Sequence, residues 1–113
     1  MPEDSFNEKR SATRFPVHIQ ADFDDPAFSG EIIPSETNDI GSDGLGLLTD
    51  KELLPGIELN IILRMRDNGE EFRLKGKVIW TSLTVTGKYR VGVKLEGPRL
   101  KPIPLVLRVL NSK

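Results

Sequence analysis

Two short stretches of the chain carry residue types that can do more than fold. The first is Lys9-Arg10-Ser11-Ala12-Thr13-Arg14, with arginines at positions 10 and 14. Arginine presents a planar fork of donors that fits phosphate oxygens. It also matches the O6 and N7 of guanine, or stacks on a base. The second is Asn38-Asp39-Ile40-Gly41-Ser42-Asp43-Gly44-Leu45-Gly46-Leu47, with three glycines and two aspartates. A carboxylate only accepts hydrogen bonds. It repels phosphate, and suits a base edge that donates, such as the N1–H and N2–H₂ of guanine. Glycine tolerates φ > 0 and lets another group approach the main chain. Arginines for phosphates, with a carboxylate and open backbone for guanine, make the two halves of a guanine-nucleotide site. Each stretch alone has a plainer reading: a solvated charge run and a tight turn.

Composition narrows the field. The 113 residues suit one domain spanning 1–113, and 37% apolar content suits one modest core. A net charge of −1, from 16 basic and 17 acidic side chains, gives no basic excess for DNA, RNA or membrane adhesion. The chain has no cysteine, which removes disulfides, thiolate zinc sites and cysteine nucleophiles. The polar start, MPEDSFNEKR, lacks the apolar core of a secretory signal. No apolar run reaches the ~20 residues of a membrane span. The expectation is a soluble, cytoplasmic protein without membrane insertion.

The elements that must position the two stretches follow from alternation. Residues 1–9 are polar and expected to form a mobile arm. From Phe15, the residues Phe15, Val17, Ile19, Ala21 and Phe23 share one face of a strand. Residues 28–37 read as a weaker strand near an edge, and Asn38–Gly44 as a turn. Leu45–Leu48 is a short strand, and Thr49–Gly56 a connection with room for one helical turn. Ile57, Leu59, Ile61, Leu63 and Met65 then face inward, before an Asp67-Asn68-Gly69 hairpin turn. Phe72, Leu74, Gly76, Val78 and Trp80 face inward on the return strand. Tyr89, Val91, Val93 and Leu95 do so on the last, with Arg90, Gly92 and Lys94 outward. Such strands, each with one apolar face, bury it by closing into a small antiparallel barrel. In the tail, residues 98–113, Leu100, Ile103, Leu107 and Leu110 have helical spacing. The segment is apolar nearly all round, which predicts a helix covered by more than one surface.

Catalysis finds no footing. The single histidine, His18, sits on the outward face of the first strand, and no G-x-S-x-G motif supplies a nucleophile. The acidic residues Asp22, Asp24 and Asp25 lack the Ca²⁺-loop pattern, and no phosphate-loop motif occurs. No metal site, cofactor or enzyme activity is expected.

The residues carry a resemblance. The sequence resembles a PilZ domain, the bacterial receptor module for cyclic di-GMP. Arg10-Ser11-Ala12-Thr13-Arg14 has the spacing of the family's R-x-x-x-R motif before the first strand. Asp39-Ile40-Gly41-Ser42-Asp43-Gly44 occupies the frame of its Asp/Asn-x-Ser-x-x-Gly motif. Gly76-Lys77-Val78-Ile79-Trp80 and Tyr89-Arg90-Val91-Gly92-Val93-Lys94-Leu95 are similar to its last two strands, so the resemblance runs over residues 8–97. It implies an all-β fold: a six-stranded antiparallel β-barrel, with its motif arm, over 10–97, and a C-terminal helix. It implies cyclic di-GMP contacts from Arg10, Arg14, Asp39 and Gly44. Gly41, Ser42, Lys9 and Trp80 are further candidates, with Trp80 read first as core packing. Gly41 stands where the family has serine. Loss of one neutral hydrogen bond is worth roughly 0.5–1.5 kcal/mol, or about two- to tenfold in affinity.

Two readings follow from the resemblance. In one, the arm closes over cyclic di-GMP, and the new surface is read by an effector protein in motility, biofilm or virulence signalling. In the other, the domain is an adaptor that ignores the nucleotide and works through protein contacts, as in type IV pilus function. Monomer and homodimer are both compatible with the sequence.

Overall fold

The computed structural model describes residues 14–25, 31–97 and 101–111. Six strands close an antiparallel barrel in the order β1-β2-β3-β6-β5-β4. They are β1 (Gln20–Asp24), β2 (Glu36–Ile40), β3 (Gly44–Thr49), β4 (Glu58–Arg64), β5 (Glu71–Leu83) and β6 (Tyr89–Glu96). One helix, α1 (Pro102–Asn111), follows. It is not long and apolar enough to cross a membrane. The all-β barrel with a C-terminal helix is the architecture expected from the alternation.

The core is the set of inward positions. Ala21, Phe23, Leu59, Ile61, Leu63, Val78, Val91 and Val93 are all buried. Leu45 and Leu47 add the inner face of β3, and Leu53 from the following connection joins the same core. That connection contains bends and one turn but no helical turn, contrary to the expectation. The Asn68-Gly69 hairpin is as expected, with Gly69 at φ 75°.

The first strand departs from the simple pattern. Its alternation starts at Phe15, yet β1 begins only at Gln20. Between them the chain is tied to β2 by a side chain. The Thr37 hydroxyl accepts from the Ile19 N–H at 2.9 Å and donates to the Val17 carbonyl at 2.6 Å. Period-two burial persists, but part of the ladder is supplied by a threonine.

The second strand also moves. It starts at Glu36 and runs through Ile40, so Asn38, Asp39 and Ile40 are strand residues, not turn residues. Ile40 is fully buried and pairs with Leu45. The apolar Ile40 inside a polar stretch was the signal for this. Because the barrel is closed, the segment is no sheet edge.

Trp80 is the clearest correction. Alternation points it inward, but it is 41% exposed. The β5–β6 register slips between Val78 and Trp80. One extra residue, Ile79, reverses the parity of everything after it. β5 also continues to Leu83, through residues expected to be a connection.

Helix α1 buries Leu105 and half-buries Val106 and Val109, while Leu107 and Leu110 stay exposed. Of the expected stripe Leu100, Ile103, Leu107 and Leu110, the last two therefore face away from the barrel, while Leu100 and the Ile103 side chain lie outside what the structure describes. Arg108 anchors the helix instead. It donates to both Asp67 carboxylate oxygens at 2.9 and 2.8 Å, and to Glu70 at 2.9 Å. Its guanidinium also lies 5.9 Å from the Phe72 ring centroid.

Candidate functional site

The site forms where two bulges meet two glycines. In β2, Thr37 faces Leu47 and Asp39 faces Gly46, so Asn38 is an extra residue. A bulge places two successive side chains where one belongs. Both Asn38 and Asp39 therefore lean over Gly46 on the outer face. A Cβ on Gly46 would come within 2.5 Å of the Asn38 side chain and 3.1 Å of the Asp39 carboxylate.

Gly46 pairs across the sheet with Gly92, and Gly92 pairs with Trp80. The Trp80 indole lies flat against Gly92: a Cβ there would sit 2.2 Å from Nε1. One row thus crosses four strands, Asp39–Gly46–Gly92–Trp80, a span of about 14 Å at strand spacing. It has a carboxylate at one end and an indole at the other, with Asn38 and Asp39 seated over Gly46 and the indole over Gly92.

Arg14 closes the carboxylate end. Phe15 exchanges backbone hydrogen bonds with Ile40 at 2.8 and 2.9 Å, which holds the chain just before β1 beside the end of β2. From there Arg14 Nη1 donates to Asp39 Oδ1 at 2.6 Å. Its other terminal nitrogen lies against Gly44, 3.1 Å from where a Cβ would stand. Gly44 is bare for a second reason: that Cβ would meet the Val93 carbonyl at 2.6 Å. The ion pair solves an electrostatic problem. An isolated carboxylate would repel an anionic ligand, while a paired one presents remaining guanidinium donors alongside its own free lone pairs.

Cations surround the floor. Lys94 pairs with Gly44, and Arg90 with Leu48 on the far side of the glycines. With the Asn38 amide turned to satisfy both its ends, it donates to the Gly46 carbonyl at 3.2 Å and accepts from Arg90 Nη2 at 3.1 Å. Arg90 is thereby held toward the same floor.

The expected residues therefore divide. Arg14, Asp39 and Gly44 come together, and Trp80 joins them through the glycine row. Ser42 sits half-buried in the bend that follows Gly41. Gly41 plays a different part. Its N–H donates to the Gly44 carbonyl at 2.8 Å and closes that bend. Neither Gly41 nor Gly44 adopts φ > 0, so these glycines serve close approach, not unusual backbone angles. Lys9 and Arg10 lie outside the described residues. Sequence reasoning missed Asn38, Gly46, Gly92 and Arg90 as members of the site. The period-two spacing of Gly44 and Gly46 was a usable signal for the floor, and the bulges were not legible.

The PilZ domain family model matches residues 8–109, nearly the whole length. The chain belongs to the PilZ domain family. Its barrel is similar to the PilZ domain of YcgR from Escherichia coli, solved with c-di-GMP. The TM-score is 0.66 at 14% identity, over 92% of this chain and 91% of that one. It is also similar to the Bacillus subtilis inhibitor of motility MotI/DgrA, with a TM-score of 0.65 at 11% identity. That match covers 92% of this PilZ domain but 49% of the inhibitor, so the chain spans about half the inhibitor's length. No curated protein matches the sequence. At these identities the likeness to solved structures concerns the fold.

Proposed function

We propose that this PilZ domain is a cyclic di-GMP receptor whose ligand lies on the outer face of β2, β3, β6 and β5. The observation that carries the reading is the Arg14–Asp39 pair set against Gly44 and Gly46. Arg14 offers its fork to a phosphate, with Arg10 as its expected companion. Asp39 accepts from the donating edge of guanine. Gly92 lets the Trp80 indole lie down on the sheet, and the outer face of that ring offers a flat purine a stacking surface. Support comes from family membership and from a YcgR PilZ domain solved with the same nucleotide. The output is a contact with an effector protein, in motility, biofilm or virulence signalling.

One observation favours the adaptor reading. The Gly41 N–H is committed to the Gly44 carbonyl, so it does not replace the serine hydroxyl that the motif has at this position. Calorimetric titration with cyclic di-GMP decides between the two. The receptor reading expects saturable heat that vanishes in Arg14→Glu. Absence of heat at about 100 μM ligand, where a Kd tighter than this gives measurable occupancy, would leave the adaptor reading in its place.

A further inference from the structure

The end of β5 has an open side. β4 accompanies β5 only as far as Lys77. Val78 then takes partners from the turn before β4. It donates to the Ile57 carbonyl and accepts from the Gly56 N–H, both at 2.8 Å. Beyond Val78, β6 runs on one side of the strand, and among the described residues no strand runs on the other. Trp80 faces Gly92, Ser82 faces Arg90, and Thr84 donates to the Lys88 carbonyl. These alternate residues turn their backbone groups to β6. By alternation, the N–H and C=O of Thr81 and Leu83 point to the open side.

The composition of this edge is unusual for the chain. Val78 to Gly87 contains neither a charge nor a proline, although 29% of the sequence is charged. Natural edges are ordinarily blunted with lysine, proline or a covering loop. Here Leu83 is 63% exposed and Val85 fully exposed, at 105%. A neutral, β-prone strand with unmet hydrogen bonds suits another neutral strand.

We propose that the occupant is the same segment of a second copy, paired antiparallel about a two-fold axis at Ser82. The pairing is self-complementary, as a two-fold interface requires. Thr81 exchanges both hydrogen bonds with the partner's Leu83, and Leu83 with the partner's Thr81. No like charges meet along the edge. Ser82 meets the partner's Ser82 as a non-hydrogen-bonded pair, the closer kind, with Cα atoms about 4.5 Å apart. The contact is small and falls in the weak class of interfaces. It does not depend on nucleotide binding.

Two substitutions at one exposed position test it. The chain has no cysteine, so Ser82→Cys introduces a single thiol at a separation a disulfide can bridge. Mild oxidation is expected to give a covalent dimer well ahead of Arg66→Cys, an exposed control elsewhere. Ser82→Glu places like charges opposite each other across the axis, while facing Arg90 favourably within its own hairpin. Sedimentation equilibrium of the unmodified chain is expected to show the mass rising with concentration from 12.6 kDa toward twice that value. Ser82→Glu is expected to move this rise at least about tenfold higher in concentration. A chain that stays monomeric overturns the proposal. So does a dimer indifferent to Ser82→Glu, or cross-linking no faster than in the control.

Discussion

Arg14 and Asp39 are 25 residues apart in sequence and joined by a 2.6 Å hydrogen bond between side chains. Their side chains are 36% and 23% exposed, so the pair sits at the surface of the barrel. Exposed pairs contribute about 0–1 kcal/mol to stability. The fold therefore has little need of it. Arg14→Ala is expected to leave the urea midpoint nearly unchanged while weakening cyclic di-GMP binding about ten- to a hundredfold, the worth of a charge-assisted hydrogen bond. Part of that loss comes from the bare Asp39 carboxylate repelling phosphate. Arg14→Ala combined with Asp39→Ala is accordingly expected to bind more tightly than the sum of two independent losses predicts. A double-mutant cycle in calorimetry reads the coupling, and strict additivity would remove the pair from the mechanism.

The Thr37 hydroxyl performs two hydrogen bonds at a fully buried position. Thr37→Val keeps the shape and orphans the Ile19 N–H and the Val17 carbonyl. Each orphaned buried group costs about 1–3 kcal/mol. Denaturant unfolding is expected to register a loss of at least about 2 kcal/mol. Because these bonds hold the segment that leads to Arg14, nucleotide affinity is expected to fall too. Unaltered stability would mean that the strand pairing around Gln20 suffices without the threonine.

Thr81 offers the opposite case. Its hydroxyl is buried with no partner among the described residues. Thr81→Val removes an unmet polar atom and installs a β-branched side chain suited to a strand. The expected change is a gain of about 1 kcal/mol, within the range for an unsatisfied group. A loss of stability on thermal unfolding would show that the hydroxyl has found water.

Much of this architecture was legible in the sequence because burial alternates wherever the ladder is regular. Ala21, Phe23, Leu59, Ile61, Leu63, Val91 and Val93 all fall on the expected face. Two of the failures sit at bulges. Residues 38–40, expected in a turn, are strand residues with Asn38 as the extra one, and Ile79 turns Trp80 out of the core. A bulge adds one residue without any composition signature, and parity reasoning carries the error forward to the end of the strand. The Arg14 and Asp39 motif positions were readable from residue type, but the glycine row between Asp39 and Trp80 depends on cross-strand register, which one sequence does not encode locally.

That row gives a prediction of its own. Gly92→Ala would drive a methyl group into the Trp80 ring, since even a Cβ lies 2.2 Å from Nε1. The indole is at the surface and can swing outward, so the cost sits near the low end of overpacking, about 1 kcal/mol. Trp80 is the chain's single tryptophan. Its fluorescence is expected to shift red as the ring enters water, and the stacking surface beside the glycines is expected to be lost to the nucleotide. An emission spectrum identical to the parent's would place the ring elsewhere in solution.

The last expectation concerns acid. Arg108 hydrogen-bonds Asp67 and holds its carboxyl below the ordinary 3.8. Asp67 in turn, with Glu70, raises the affinity of the Arg108 guanidinium for its proton. A carboxyl depressed in the folded state contributes stability that is present above its unfolded pKa. That contribution is lost as pH falls through the folded value. Arg108→Ala removes the partner and with it the dependence. The parent is therefore expected to unfold at a higher temperature than Arg108→Ala at neutral pH, with the gap narrowing below about pH 4 as Asp67 takes up its proton. The same gap should shrink in high salt, because the groups are near the surface and screened. Far-UV circular dichroism follows α1 directly, and its loss in Arg108→Ala would show that the guanidinium, more than Leu105, keeps the helix on the barrel. A gap that stayed constant from neutral to acid pH would mean that the contact with Phe72, and not the charge on Asp67, holds Arg108 in place.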